Sequence, residues 1–102
     1  NKNFTGFNKR NKRKKMTTTM RIANGLVKQY TDLNFKNHCY LRIAYDNAVN
    51  GKWNRLVNRP FTKNASTFYI HEANLLLCSY ITNKDLLIQH NKISLTYRKK
   101  II

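Results

Sequence analysis

Proline and glycine are scarce in this chain, whose 102 residues include one proline, Pro60, and three glycines. Folds rich in strands need turn residues at short intervals, so this scarcity argues against a β-sandwich or barrel and favours long helices. Three scattered glycines also exclude the usual glycine-rich loops that cradle phosphates.

Cysteine is equally rare, with only Cys39 and Cys78 in the sequence. A small secreted scaffold usually carries roughly four to eight cysteines, so we expect these two to be buried thiols in a reducing compartment. No apolar run approaches the roughly 18 residues of a membrane span, and no apolar stretch follows the charged N-terminus as in a secretory signal. The sequence therefore predicts an intracellular protein without membrane contact.

Residue types with A/T-rich codons narrow the predicted compartment further. Asn, Lys, Ile, Tyr and Phe together supply 47 residues, and all five have A/T-rich codons. This bias suggests the genome of an organelle, a phage or a low-GC bacterium, and hence an organelle matrix, a bacterial cytoplasm or a phage particle.

Acidic residues are the third scarcity: 4 Asp or Glu stand against 20 Lys or Arg, for a net charge of +16. Such an excess attracts phosphates and destabilises the isolated fold by self-repulsion, which an anionic partner relieves. With so few acidic residues, the chain also has few carboxylates that could act in catalysis. A two-metal nuclease needs clustered carboxylates, and the neighbours His71 and Glu72 would point about 100° apart on a helix. We predict no enzymatic activity.

Metal ligation has candidates but no suitable spacing. No pair of cysteines or histidines forms the Cys-x2-Cys or His-x3–5-His motif that zinc sites normally use. Nor does the sequence contain a residue pattern that would orient Cys39 as a nucleophile. We therefore expect no metal and no cofactor, and ordinary thiols and imidazoles at His38, Cys39, His71, Cys78 and His90.

The basic charge is densest in residues 1–15, which hold seven Lys or Arg, no acid and only two large apolar side chains, Phe4 and Phe7. Burial of two rings cannot offset the entropy of ordering the segment, so we predict a disordered, extended basic arm that becomes ordered on a polyanion. Each cation that displaces a counterion from phosphate adds salt-sensitive affinity, and the rings could stack on bases. The predicted contacts of the arm are Lys2, Lys9, Arg10, Lys12, Arg13, Lys14 and Lys15.

Residues 16–102 are predicted to form a single small helical domain, an all-α bundle of three to four helices. Apolar residues at helical spacing indicate helices over about 16–30, 33–50, 66–81 and 83–98. Three threonines and Gly25 weaken the first of these. The expected buried stripes are Tyr40, Ile43, Ala44 and Ala48 in the second helix, Tyr69, Ala73, Leu76, Leu77 and Tyr80 in the third, and Leu86, His90, Ile93 and Tyr97 in the fourth.

Cap residues set the bounds of these helices. The segment 51–65 is predicted to be irregular, because Pro60 biases Arg59 away from helix. The predicted end signals are an N-cap at Thr31-Asp32, a C′ residue at Gly51, a cap at Ser66 or Asn64, and a capping box over Thr82, Asn83, Lys84 and Asp85.

The irregular segment is the second candidate interface, because aromatic and basic residues alternate along it. Bases can stack on its rings while guanidinium groups hold phosphate, an arrangement that suits RNA or single-stranded DNA. Alternatively, Trp53 and Phe61 plug the core while the charges face water. Its candidate binding residues are Lys52, Trp53, Arg55, Arg59 and Lys63, to which the C-terminal run adds Arg98, Lys99 and Lys100.

Together these features predict a non-enzymatic nucleic-acid-binding structural component of a larger nucleoprotein assembly. Its partners would be the nucleic-acid phosphate backbone and other proteins of the assembly. RNA is slightly favoured, since an extended cation suits folded RNA and no groove-reading motif is evident. Arg42, Asn47 and Asn50 on one helix leave open a DNA-binding regulator or packaging protein. A further alternative is a virion or complex subunit that binds an acidic protein.

Overall fold

The computed structural model describes residues 17–99, and every regular element in that range is helical. The four longer helices are α1 (Thr18–Gln29), α2 (Asn37–Val49), α5 (Thr67–Thr82) and α6 (Lys84–Tyr97). Two single-turn helices, α3 (Trp53–Leu56) and α4 (Phe61–Asn64), and a 3-10 turn at Thr31–Leu33 complete the series. The prediction of an all-α fold is confirmed for this range, and the predicted arm lies outside it.

Helices α2 and α5 form the centre of the fold: each packs against the other three long helices, and their contact with each other is the most extensive. The predicted stripe of α2 is buried: Tyr40, Ile43 and Ala44 are fully buried and Ala48 nearly so. Burying a side chain such as Ile43 stabilises the fold by about 1.5–3 kcal/mol. The two alanines on the same stripe carry little bulk, which lets neighbouring helices approach α2 closely.

Side-chain caps begin three of the long helices. The side-chain oxygens of Thr17, Ser66 and Asn83 each accept a hydrogen bond from the backbone N–H three residues later, at 3.0–3.2 Å. Each cap satisfies a donor that would otherwise be left without a partner at the start of its helix. Of the two residues predicted to cap α5, Ser66 does so. The capping box predicted over Thr82–Asp85 is wrong: the N-cap of α6 is Asn83, and the residue three positions later is Leu86, whose side chain cannot return a hydrogen bond.

Two predicted boundary signals around α2 are wrong. Thr31 and Asp32 do not cap it, because they belong to the 3-10 turn, and α2 begins only at Asn37. At its other end the left-handed residue is Asn50, with φ 58°, rather than Gly51. Asparagine tolerates this conformation through local hydrogen bonds of its short side chain, so a glycine is not needed there.

The buried face of α6 also differs from the predicted one. Its fully buried residues are Leu87 and Ser94, which lie one position beyond the predicted Leu86 and Ile93. The reason is polar: the Ser94 hydroxyl donates to the carboxylate of Asp46 on α2, with 2.6 Å between the oxygens. A hydrogen bond to a buried charge is worth about 1.5–3 kcal/mol. This bond therefore sets which face of α6 is buried, and that face differs from the one predicted from apolar spacing alone.

Helices α5 and α6 are joined by a polar contact between Tyr80 and His90. The Tyr80 hydroxyl lies 2.8 Å from Nδ1 of His90, and the two rings meet edge to face. Burial lowers the pKa of His90, because the charged imidazolium loses hydration there.

This lowered pKa predicts a pH-dependent stability. The unfolded chain takes up a proton at His90 near its ordinary pKa of 6.5, before the folded protein does. The free energy of unfolding is therefore complete above that pH and falls as the pH drops below it. Urea denaturation at several pH values should show this fall, and His90→Asn, which keeps an oxygen for Tyr80, should reduce it. An identical pH profile in the variant would contradict the assignment to His90.

Candidate nucleic-acid interface

The basic segment 52–63 lies at the surface, and its two short helices present its cations to solvent. Arg55, Arg59 and Lys63 are exposed and Lys52 is partly exposed. Within residues 17–99, no carboxylate lies at ion-pair distance from any of these four. The segment therefore offers positive charge that nothing in the described part of the chain neutralises, as phosphate binding requires.

The two aromatic residues of this segment have different positions. Phe61 is 2% exposed and stacks on Tyr45 of α2, with 3.8 Å between ring centroids, so it belongs to the core. Trp53 is only partly buried and meets both rings edge to face at 5.3 and 5.6 Å. The guanidinium of Arg59 lies over the Trp53 ring, 5.6 Å from its centroid. Phe61 is thus a core residue, while part of the Trp53 ring stays at the surface beside a cation.

Local hydrogen bonds fix the segment in place. The amide of Asn64 donates to the carbonyl oxygens of residues 58, 59 and 60 at 3.0–3.2 Å, which closes the turn that carries Arg59. The backbone N–H of Trp53 donates to Oδ1 of Asp46 at 2.9 Å. Both ends of the segment are therefore anchored, so Trp53 and Arg59 are held side by side.

These residues border an aromatic groove with a volume of about 430 Å³. Such a volume lies within the roughly 300–1,000 Å³ typical of small-molecule sites. Most of the lining is apolar, and Arg59 is its one charged residue. The residues that line it are Thr17, Met20, Leu41, Tyr45, Trp53, Arg59, Pro60, Phe61 and Thr62.

The position of Thr17 connects this groove to the predicted arm. Thr17 caps α1 and lines the aromatic groove, so residues 1–16 join the described part of the chain at the rim of the groove. This proximity could not be predicted from the sequence, because Thr17 and Trp53 are far apart along the chain. The predicted arm is therefore attached to the helical domain next to segment 52–63, the second predicted interface.

The C-terminal candidates differ in their surroundings. Arg98 forms two hydrogen bonds with the buried carboxylate of Asp46, at 2.7 and 2.9 Å, so its guanidinium already has an anionic partner. Lys99 is exposed. Lys100 and the arm candidates Lys2, Lys9, Arg10, Lys12, Arg13, Lys14 and Lys15 lie outside the described residues.

Two of the three side chains considered for reading a DNA groove, those of Arg42 and Asn47, have partners within the protein, whereas Asn50 is exposed. Arg42 donates to Ser94 and Asn91 of α6 at 2.8 and 2.9 Å, and Asn47 donates to two backbone carbonyls. Burial lowers the pKa of Arg42, although an arginine stays protonated at neutral pH. These two residues therefore tie α2 to α6, and the interface proposed below does not use them.

The cysteines and histidines are dispersed over the structure. Residues 17–99 contain no group of three His, Cys, Asp or Glu side chains placed to hold a metal ion. Cys39 is half-buried and Cys78 is exposed, so the expectation that both thiols are buried is wrong for Cys78. In the same range, the helices are all too short or too polar to cross a membrane.

The chain matches no protein-family model, and searches of curated proteins and of solved structures likewise return no match. Its geometry and charge are therefore the basis for any functional proposal.

Proposed function

We propose that this chain is a non-enzymatic nucleic-acid-binding component of a larger nucleoprotein assembly, with RNA favoured over DNA. The observation that carries the proposal is the unneutralised charge of the folded part. Of twelve Lys and Arg in residues 17–99, only Lys84 and Arg98 lie at ion-pair distance from a carboxylate of that range. The remaining positive surface suits a phosphate backbone, and seven further cations precede it in residues 1–15.

The contacts of Asp32 and Asp46 support this proposal over a catalytic function. Asp46 is fully buried and receives four hydrogen bonds, from Arg98, Ser94 and the backbone of Trp53. Asp32 forms an ion pair with Lys84. These two carboxylates already have partners in the protein, and a passive clamp of cations around a rigid helical frame needs no reacting group.

An exposed apolar face on α5 supports contact with other proteins of an assembly. Phe68 is 65% exposed and Leu75 49% exposed, and α5 contains no lysine or arginine. Exposed apolar residues on a strongly charged protein are typical of protein–protein contacts when they cluster on one face. Basic and apolar surfaces would thus serve different partners.

The proposal is tested by titrating the full chain with RNA, duplex DNA and polyglutamate over a series of salt concentrations. We expect RNA to bind more tightly than polyglutamate at equal salt, with an affinity that falls linearly on a log–log plot against salt. Tighter binding of polyglutamate would favour an acidic protein partner. A preference for one duplex DNA sequence that persists at high salt would favour a DNA-binding regulator.

A further inference from the structure

A second groove lies beside the aromatic groove and shares its two walls, α1 and α2. Its volume is also about 430 Å³, and we call it the lysine groove, lined by Asn24, Val27, Lys28, Lys36 and Asn37. The α1 residues that line the two grooves follow one another at helical spacing: Thr17, Met20, Asn24, Val27 and Lys28. One face of α1 therefore borders both grooves.

The two grooves are adjacent as well as aligned. The Asn37 amide nitrogen, in the lysine groove, lies 3.7 Å from the sulfur of Met20, in the aromatic groove. The same amide group donates to the side-chain oxygen of Asn24 across the crevice at 3.0 Å. These contacts join α1 and α2 where the two grooves meet, so the grooves are neighbours along the same helix pair, and we call them together the α1–α2 crevice.

The charged residues that line this crevice are all basic. The lining includes Lys28 and Lys36 at one end and Arg59 at the other, and no carboxylate. The acid nearest to the lysines along the chain, Asp32, is paired with Lys84. A polyanion can therefore enter the crevice along its full length, whereas the cationic arm of the same chain is repelled from the lysine end.

The order of chemical groups along the crevice fits a single strand. The aromatic end offers the partly exposed Trp53 ring and a guanidinium for a base and its phosphate, and the other end offers two ammonium groups for phosphates further along. Along α1, Thr17 and Lys28 are about 16 Å apart at 1.5 Å per residue. That length accommodates about five nucleotides at the roughly 3.4 Å spacing of a stacked strand.

We infer that the α1–α2 crevice is a track for single-stranded nucleic acid, with an unpaired base against Trp53 and the phosphates of its neighbours at Lys28 and Lys36. This inference rests on the proposed function and adds to it the strandedness of the ligand, its path and two lysines that the sequence did not single out. A duplex keeps its bases stacked inside, so it cannot place one against Trp53 without unpairing.

The fluorescence of Trp53, the only tryptophan in the chain, reports directly on the aromatic end. We would titrate the full chain with a single-stranded RNA of about ten nucleotides, the same strand with abasic residues, and its duplex. The intact strand should change the Trp53 emission and bind about 5- to 150-fold more tightly than the abasic strand, which corresponds to one stacked base. The abasic strand and the duplex should leave the emission unchanged.

Variants test the two ends separately. Trp53→Phe, which keeps a ring against Tyr45 and Phe61, should reduce the preference for the intact strand without changing the salt dependence. The pair Lys28→Gln with Lys36→Gln should lower the salt slope for the single strand by about 1.4, the value of two phosphate contacts. Lys92→Gln is the matched control: an exposed lysine on α6, outside the crevice, that should change the slope least.

The outcomes separate this inference from the proposed function. If the chain binds no nucleic acid, both fail. If it binds with a steep salt dependence but Trp53 emission stays constant, or the crevice lysines have no more effect than Lys92, the proposed function stands and the track is wrong. The track is also overturned if deletion of residues 1–15 alone, without RNA, changes the emission as RNA does, because the arm would then occupy the groove. Circular dichroism confirms that each variant is folded.

Discussion

Arg98→Gln is expected to destabilise the fold by about 3–5 kcal/mol, because it removes one partner of a buried ion pair. The carboxylate of Asp46 is fully buried, and Arg98 supplies two of its four hydrogen bonds and the guanidinium that forms its ion pair. The variant leaves that carboxylate buried with only Ser94 and a backbone N–H as partners. For a domain of this size, thermal denaturation should show Tm lowered by roughly 15 °C or more.

A double-mutant cycle distinguishes a buried charge from a mere loss of packing. Asp46→Asn, added to Arg98→Gln, removes the uncompensated charge and should restore at least about 1 kcal/mol. Arg55→Gln is the matched control, since Arg55 is exposed and its loss should change stability by less than about 0.5 kcal/mol. If the two substitutions at the buried pair are simply additive, the pair contributes no specific interaction.

Deletion of residues 1–15 is expected to weaken nucleic-acid binding at least about a hundredfold at 0.1 M salt. Seven cations leave with this segment. Each phosphate contact contributes about 0.7 to the slope of log affinity against log salt for a single strand, so the slope should shrink by about 2–5 as three to seven of them engage. Filter binding or fluorescence anisotropy over a salt series measures both quantities.

Charge and chain length can be separated in this experiment. A chain of full length with the seven Lys and Arg of residues 1–15 replaced by Gln should behave as the deletion does, because counterion release requires charge. A slope that stays the same after deletion would show that the segment makes no phosphate contacts, and the interface would then lie on the folded part alone.

Much of the fold was predictable because two helices have an unambiguous apolar face. The stripe predicted in α2 is buried, and of the one predicted in α5, Ala73, Leu77 and Tyr80 are buried. Tyr69 and Leu76 are partly buried and pack against the core. Prediction failed where a polar interaction decided the geometry. Ser94 is buried by its bond to Asp46, and no local pattern announces a contact between residues 48 positions apart. Likewise, single-turn helices such as α3 are too short to show a periodic pattern.

The candidate site was predictable only as separate pieces of sequence. The alternation of aromatic and basic residues around Trp53 marked one surface segment correctly as exposed and charged. Sequence could not show that Thr17 and Met20 stand opposite that segment, since this depends on the packing of α1 against α2. Nor could the sequence show that Arg98 pairs with a buried acid while Lys99 is exposed. The two residues are adjacent in one basic run, and their different surroundings depend on how α6 packs against α2.

The link between Asp46 and Arg98 orders events during protein synthesis. The two residues are 52 positions apart, so a ribosome adding about 5–20 residues per second takes roughly 3–10 s to supply the arginine after the aspartate. Until Arg98 has been made, Asp46 lacks its ion-pair partner, so enclosing its carboxylate costs more free energy than in the finished protein. Residues 1–15 are made before the helices, so under the proposed function their cations are available to RNA before the bundle closes.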